Sequence, residues 1–241
     1  MKKLEFTTSD IQKLVLYNST GTESHIWRDK DKAYKIFINK NDIENKRIKL
    51  ERMDKRLDHE IFTTPRELLY HEGEFIGYAM PLHKFYNTLY WISNSDNYKA
   101  KLQYLKLLKA ALVKLHQENA VYVDLNPSNI MYDPKKTRIK LIDMDNIAID
   151  ELPYDTACQT ARKYIEKNGF DQSVDTYMLN ILTLSLLLHT DFNAKIPTSL
   201  GKKYTSTSLI KDLSELKPNE EILLDSLNDN NIETFIKTYQ I

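Results

Sequence analysis

The chain has 241 residues, and its Lys+Arg and Asp+Glu counts balance at 34 each, so no global charge points to nucleic acid or a membrane surface. Hydrophobic residues make up 41% and charged residues 28%, an ordinary globular composition long enough for one large domain or two lobes. The lone cysteine, Cys158, excludes an internal disulfide and a cysteine-based zinc site, and a free thiol suits a reducing cytoplasm.

The first residues, Met1 to Phe6, lack the apolar core of a signal peptide. Residues 12–18 and 24–38 alternate enough to predict three strands, with Ser19-Thr20-Gly21-Thr22 as the first turn. A helix over about 41–58 follows, with Asn41 at its N-cap and Glu44 completing a capping box. Pro65 opens a further strand, His71-Glu72-Gly73-Glu74 turns it into residues 75–80, and Pro81 stops the last strand. The pattern then becomes helical. Leu102, Leu105, Leu107, Leu108, Leu112 and Leu115 give residues 98–116 an apolar face. Two short strands flank the turn Asp133-Pro134-Lys135-Lys136, and residues 146–172 read as irregular and polar. The longest apolar run, Met178 to Leu188, is broken by Asn180, Thr183 and Ser185; it is too short to span a bilayer and reads as a buried helix over 175–189. Amphipathic stretches at about 206–216 and 219–239 finish the chain. The expected class is α+β and bilobal: a small β-rich lobe with one helix over about 1–80, a hinge over 81–86 and a mainly helical lobe over 87–241.

The residues that carry chemistry cluster between Leu115 and Asp145. Asp124 and Asn129 stand five apart in a loop held by Pro127, and Asp143 and Asp145 arrive straight after the apolar run Ile139-Lys140-Leu141-Ile142. Carboxylate and amide oxygens at the mouth of a hairpin suit Mg²⁺ shared with phosphate, so a phosphoryl-transfer site is expected.

The order of lysine, helix glutamate, hinge, catalytic loop, metal-binding aspartate and buried helix resembles the eukaryotic-type protein kinase-like superfamily over about residues 12–190. The resemblance implies a bilobal kinase-like fold that uses ATP and Mg²⁺. Lys35, two residues after Ala33, is similar to the Val-Ala-Ile-Lys pattern and would hold the α- and β-phosphates. Glu51, or else Glu44 seven residues earlier on the same face, would pair with it. Gly21 is the one glycine in the loop that would cover the phosphates. Met80 would guard the back of the adenine pocket, Pro81 would offer its carbonyl and His83 its backbone N–H, with Met131 also in the nucleotide site. Asp124 would orient the acceptor hydroxyl and take its proton, while Asn129 and Asp143 would bind Mg²⁺. Asp143-Met144-Asp145 stands for Asp-Phe-Gly, which leaves Asp145 as either a helper for a second metal or a structural turn residue. Asp175 would hydrogen-bond the catalytic-loop backbone.

Three departures shape the functional expectation. Tyr122-Val123-Asp124 replaces His-Arg-Asp and removes the arginine that pairs with a loop phosphate, which implies activity without loop phosphorylation. Asn126 stands where protein Ser/Thr kinases carry a lysine, and Tyr164-Ile165-Glu166 is the nearest remnant of Ala-Pro-Glu. The resemblance thus implies a protein serine/threonine kinase, with an aminoglycoside- or sugar-type small-molecule kinase and a nucleotide-binding pseudokinase scaffold as alternatives. A protein or small-molecule acceptor is the expected partner, and neither nucleic acid nor membrane is. Abundant Lys, Asn and Ile suit an AT-rich bacterial or phage genome.

Overall fold

A six-stranded sheet organises the first eighty residues of the computed structural model, which describes residues 1–19, 23–84, 86–93 and 98–187. In chain order the elements are β1 (Lys2–Glu5), α1 (Thr8–Gln12), β2 (Val15–Asn18), β3 (Ser24–Asp29), β4 (Lys32–Phe37), α2 (Ile43–Arg56), β5 (Glu67–His71) and β6 (Glu74–Pro81). The sheet order is β1-β5-β6-β4-β3-β2. The β5–β6 hairpin closes on Glu72 and Gly73, both at positive φ (53° and 77°), the geometry that matches a two-residue turn to the twist of its strands.

Two elements of this half depart from expectation. The strand expected over 12–18 begins only at Val15, because α1 precedes it. That helix starts at a reciprocal capping box: the Asp10 N–H donates to Thr7 Oγ1 and the Thr7 N–H to Asp10 Oδ2. The region therefore carries two helices rather than one. In addition, β1 pairs parallel to β5, Lys2 opposite Glu67 through Glu5 opposite Tyr70. No capping box forms at Asn41: α2 begins after Asp42, which sits at φ 52° with no side-chain bond to the helix.

After β6 come β7 (Asn87–Thr88), α3 (Tyr90–Ser93), α4 (Tyr98–Gln117), β8 (Ala120–Val121), β9 (Ile130–Asp133), β10 (Arg138–Leu141), β11 (Ala148–Ile149), α5 (Gln159–Asn168) and α6 (Ser173–Leu187). The chain is thus mixed α and β, with the sheet first and the longer helices later. α5 lies inside the stretch expected to be irregular, where Ala161 and Thr160 are buried and Tyr164 stacks on Tyr177 of α6 with ring centroids 4.4 Å apart. Along α6, Val174, Tyr177, Met178, Leu179, Ile181, Leu182 and Leu186 are buried, as its mainly apolar sequence requires. The expected helices at 206–216 and 219–239, the Gly21 turn and the end of the 175–189 helix lie outside the described residues.

One large core joins the inner face of the sheet and α2 to α4, α6 and the β9–β10 hairpin; Leu50, Met53, Leu68, Leu108, Leu115, Ile130, Leu141 and Leu182 are all fully buried in it. A smaller cluster on the outer face, Tyr34, Leu69, Ile76 and Ala79, is covered by Phe6, Ile11 and Leu14 around α1. No helix among the described residues is long and apolar enough to cross a membrane.

Candidate functional site

Lys35 sits on β4 directly opposite Tyr78 on β6, so their side chains share a face. Gly77 permits the close strand approach there: a Cβ on it would stand 2.0 Å from the Lys35 carbonyl oxygen. The buried Lys35 ammonium donates to Asp143 Oδ1 and, at 2.7 Å, to Asp145 Oδ1, which also accepts from the Tyr78 hydroxyl at 2.7 Å. Burial alone would lower the lysine's pKa, but the Asp145 and Asp143 charges outweigh it and hold the ammonium above its ordinary value. Burial raises Asp143, the more exposed acid; for Asp145 the Lys35 charge and the hydrogen bonds overcome burial and keep it ionised. Of the two roles open to Asp145, this geometry fits the structural one.

The expected pairing of Lys35 with Glu51 does not form. Glu51 accepts from Arg47 at 2.8 Å, and Glu44 takes the same guanidinium at 2.6 and 2.9 Å. The cause is the rotation of α2, which turns Lys46, Lys49, Leu50 and Met53 inward and leaves residues 44, 47 and 51 on its outer side. The counter-ions of Lys35 therefore come from the loop after β10 and not from the helix.

The loop over residues 122–129 is fixed from below. Asp175, fully buried at the start of α6, accepts from the backbone N–H groups of Tyr122 and Val123, each at 2.8 Å, and His116 Nε2 lies 2.9 Å from it. Val123 is held at φ 66°, and the Asp124 N–H donates to the Tyr122 carbonyl at 2.8 Å. This is a strained γ-turn for a β-branched residue, over-determined by Asp175. The Tyr122 hydroxyl donates to the Ile142 carbonyl, and the Ile142 N–H donates to the Asn129 carbonyl at 2.9 Å, which sets Asn129 beside Asp143. Asn126 is spent on the loop itself: its Oδ1 accepts from Ser128 and Asn129 N–H, and its Nδ2 donates to the Asp124 carbonyl. The Asn129 Nδ2 donates to Asp124 Oδ2 at 2.9 Å, leaving the amide oxygen as its remaining acceptor. Burial, reinforced by Asp143, raises the Asp124 carboxyl above its ordinary value.

Lys35, Asn129, Asp143 and Asp145 border a cavity of about 680 Å³. Its walls include Ala33, Lys35, Met80, Pro81, His83, Asn129, Met131, Asp143 and Asp145. Asp124 stands at its edge through the bond to Asn129, Glu51 is absent from the lining and Gly21 is outside the described residues. The Leu82 N–H donates to the Asp31 carbonyl at 2.8 Å, so ladder alternation turns the Pro81 carbonyl away from β4. The His83 ring is held neutral, its pKa lowered to about 4 by burial and by Lys140, with Nε2 2.8 Å from the Thr63 hydroxyl.

The chain matches no protein-family model, and no curated protein matches it.

Among the described residues no group of three His, Cys, Asp or Glu side chains is arranged to hold a metal by itself. The donor set on the cavity, one carboxylate (Asp143) and one amide oxygen (Asn129), nevertheless fits Mg²⁺, which keeps few protein ligands and shares the rest with phosphate and water. Several residues of the site escape sequence reasoning. Tyr78 anchors Asp145, Lys46 and Lys49 enter from α2, and Asn146 and Asp155 follow the Asp143 loop. Only the i, i+3 spacing of the two lysines beside Leu50 and Met53 hints that they face inward.

Proposed function

We propose that the protein is an ATP- and Mg²⁺-dependent phosphotransferase of the bilobal kinase-like kind, acting on a serine or threonine hydroxyl of a protein. The observation that carries this reading is the convergence of Lys35, Asn129 and Asp143 on one cavity, with Asp124 bonded to Asn129 at its edge. In this reading the sheet and α2 form the small lobe, residues 81–86 the hinge and the rest the larger lobe. The adenine lies against Ala33 and Met80, with the Pro81 carbonyl and the His83 N–H along its edge. Lys35 holds the phosphates, and Asn129 and Asp143 hold the metal. Mg²⁺, when bound, supplies positive charge against the phosphate oxygens. Asp124 orients the acceptor hydroxyl and takes its proton as the oxygen bonds to the γ-phosphorus and ADP leaves. Its raised pKa makes it a better base than an exposed aspartate.

A small-molecule acceptor is the second reading, and Asn126 favours it. Its side chain caps its own loop and brings no cation to the γ-phosphate. The test is transfer from γ-labelled ATP with Mg²⁺ to generic protein acceptors and, separately, to sugars and aminoglycosides, beside Asp143→Ala. Label on protein that disappears in the variant supports the first reading, and label on small molecules alone supports the second. ATP binding without transfer to any acceptor would mark the protein as a scaffold.

A further inference from the structure

One carboxylate holds the segment after β11 against the cavity. Asp155 Oδ1 accepts from Lys49 Nζ at 2.9 Å, and its Oδ2 lies 3.1 Å from Lys46 Nζ. That second oxygen is buried and lacks an aligned hydrogen-bond donor among the described residues, so Lys46 meets it as a charge contact. Both lysines are buried on the inner side of α2. Each also grips a wall of the cavity. Lys46 donates to Glu23 at 3.2 Å, and Lys49 approaches the carbonyls of Ile147 at 3.3 Å and Asp145 at 3.5 Å. Asn146 ties the same segment down, accepting from the N–H groups of Asp155 and Thr156 and donating to the Thr156 carbonyl. Two ammonium groups in a dry interior repel each other and need a shared anion. Asp155 is that anion.

We propose that Asp155 is a built-in latch, a positioning residue that orders the segment after the metal loop and both walls of the cavity without covalent modification. A regulatory phosphate on such a segment acts by entering a cationic site. Here the cationic site is filled by the chain's own carboxylate. The effect on nucleotide rests on the phosphotransferase reading; the effect on order rests on the geometry alone.

The test measures hydrogen exchange over residues 144–147 and 153–157, which leave out the partners of Arg52, and binding of a fluorescent ATP analogue in the full chain. The proteins compared are wild type, Asp155→Ala, Asp155→Asn, Asp155→Glu and Arg52→Ala. Arg52 lies on the same helix but pairs with Asp150 and Glu151, away from the cavity. D155A and D155N should exchange the segment about tenfold faster and bind the analogue about tenfold more weakly, as expected for uncovering two buried lysines. D155E should recover part of both, R52A should leave both near wild type, and phosphatase treatment should change neither in the wild type. Should D155A fail to fold, D155N, of equal volume, decides. Wild-type exchange in D155N, or loosening by phosphatase, overturns the latch, as does an R52A protein loosened as much as D155N. A wild-type protein that binds no nucleotide sinks the phosphotransferase reading, and the exchange arm then still decides the latch.

Discussion

At the scale of single residues, the site depends on a few positions where an atom more or a charge less is felt at once. Gly77 is one: its missing Cβ is what lets β6 approach the Lys35 carbonyl. Gly77→Ala should destabilise the fold by about 2–3 kcal/mol, because the obstacle is backbone and cannot rotate away. Thermal melting checks this, and a melting temperature equal to wild type would show that the strands can part cheaply. His83 is another. The fold holds its ring neutral down to about 4, whereas the unfolded chain takes up that proton near 6.5. The stability is therefore present above about pH 6.5 and lost as the pH falls toward 4. The loss should be about 1 kcal/mol once the ring's partial exposure is discounted. Denaturant melts at pH 7 and pH 5 should show a larger drop for wild type than for His83→Gln; equal drops would remove His83 from the explanation.

At the scale of elements, α6 carries the loop at Tyr122 and Val123 on one side chain. Asp175 stands at the first turn of a buried helix and accepts from the buried N–H groups of Tyr122 and Val123. Asp175→Ala should cost about 3 kcal/mol and free the strained turn at Val123, since it strips two buried N–H groups of their acceptor. Amide exchange at residues 122 and 123 reads this directly, and unchanged protection there would mean that the turn holds itself. Asp175 was legible in the sequence as the aspartate that opens the apolar stretch over 175–189. The same holds for Lys35, Asn129 and Asp143, whose spacing from strand and loop signals leaves little freedom. The partner of Lys35 was not legible. α2 carries Lys, Arg or Glu on every side, so polarity cannot say which side turns inward, and two buried lysines look like solvated ones. β1 was hidden for a related reason: three of its four residues are charged, and what makes it a strand is the open edge of β5. α5 was missed because only Ala161 and Thr160 among its ten residues are buried, too few for a helical period to show.

At the scale of the molecule, α2 joins the sheet to the helical part through a row of ion pairs. Lys49 meets Asp155, Arg52 meets Asp150 and Glu151, and Arg56 meets Asp150 and Glu118. The exposed pairs in that row contribute little each, while the buried lysines fix the register of the helix. The consequence is a cavity whose walls are already drawn together, with Lys35 held between two carboxylates and no glutamate from α2 needed. The central claim is that this cavity places a nucleotide for transfer while Asp124, at its edge, serves the acceptor. Comparing Mg²⁺-dependent ATP affinity and single-turnover transfer in Asp124→Ala and Asp143→Ala tests it most directly. Asp124→Ala should bind ATP with Mg²⁺ as the wild type does yet transfer at least about a hundredfold more slowly. Asp143→Ala should lose the Mg²⁺-dependent part of binding as well. Transfer at the wild-type rate by the Asp124 variant would contradict the assignment of the site.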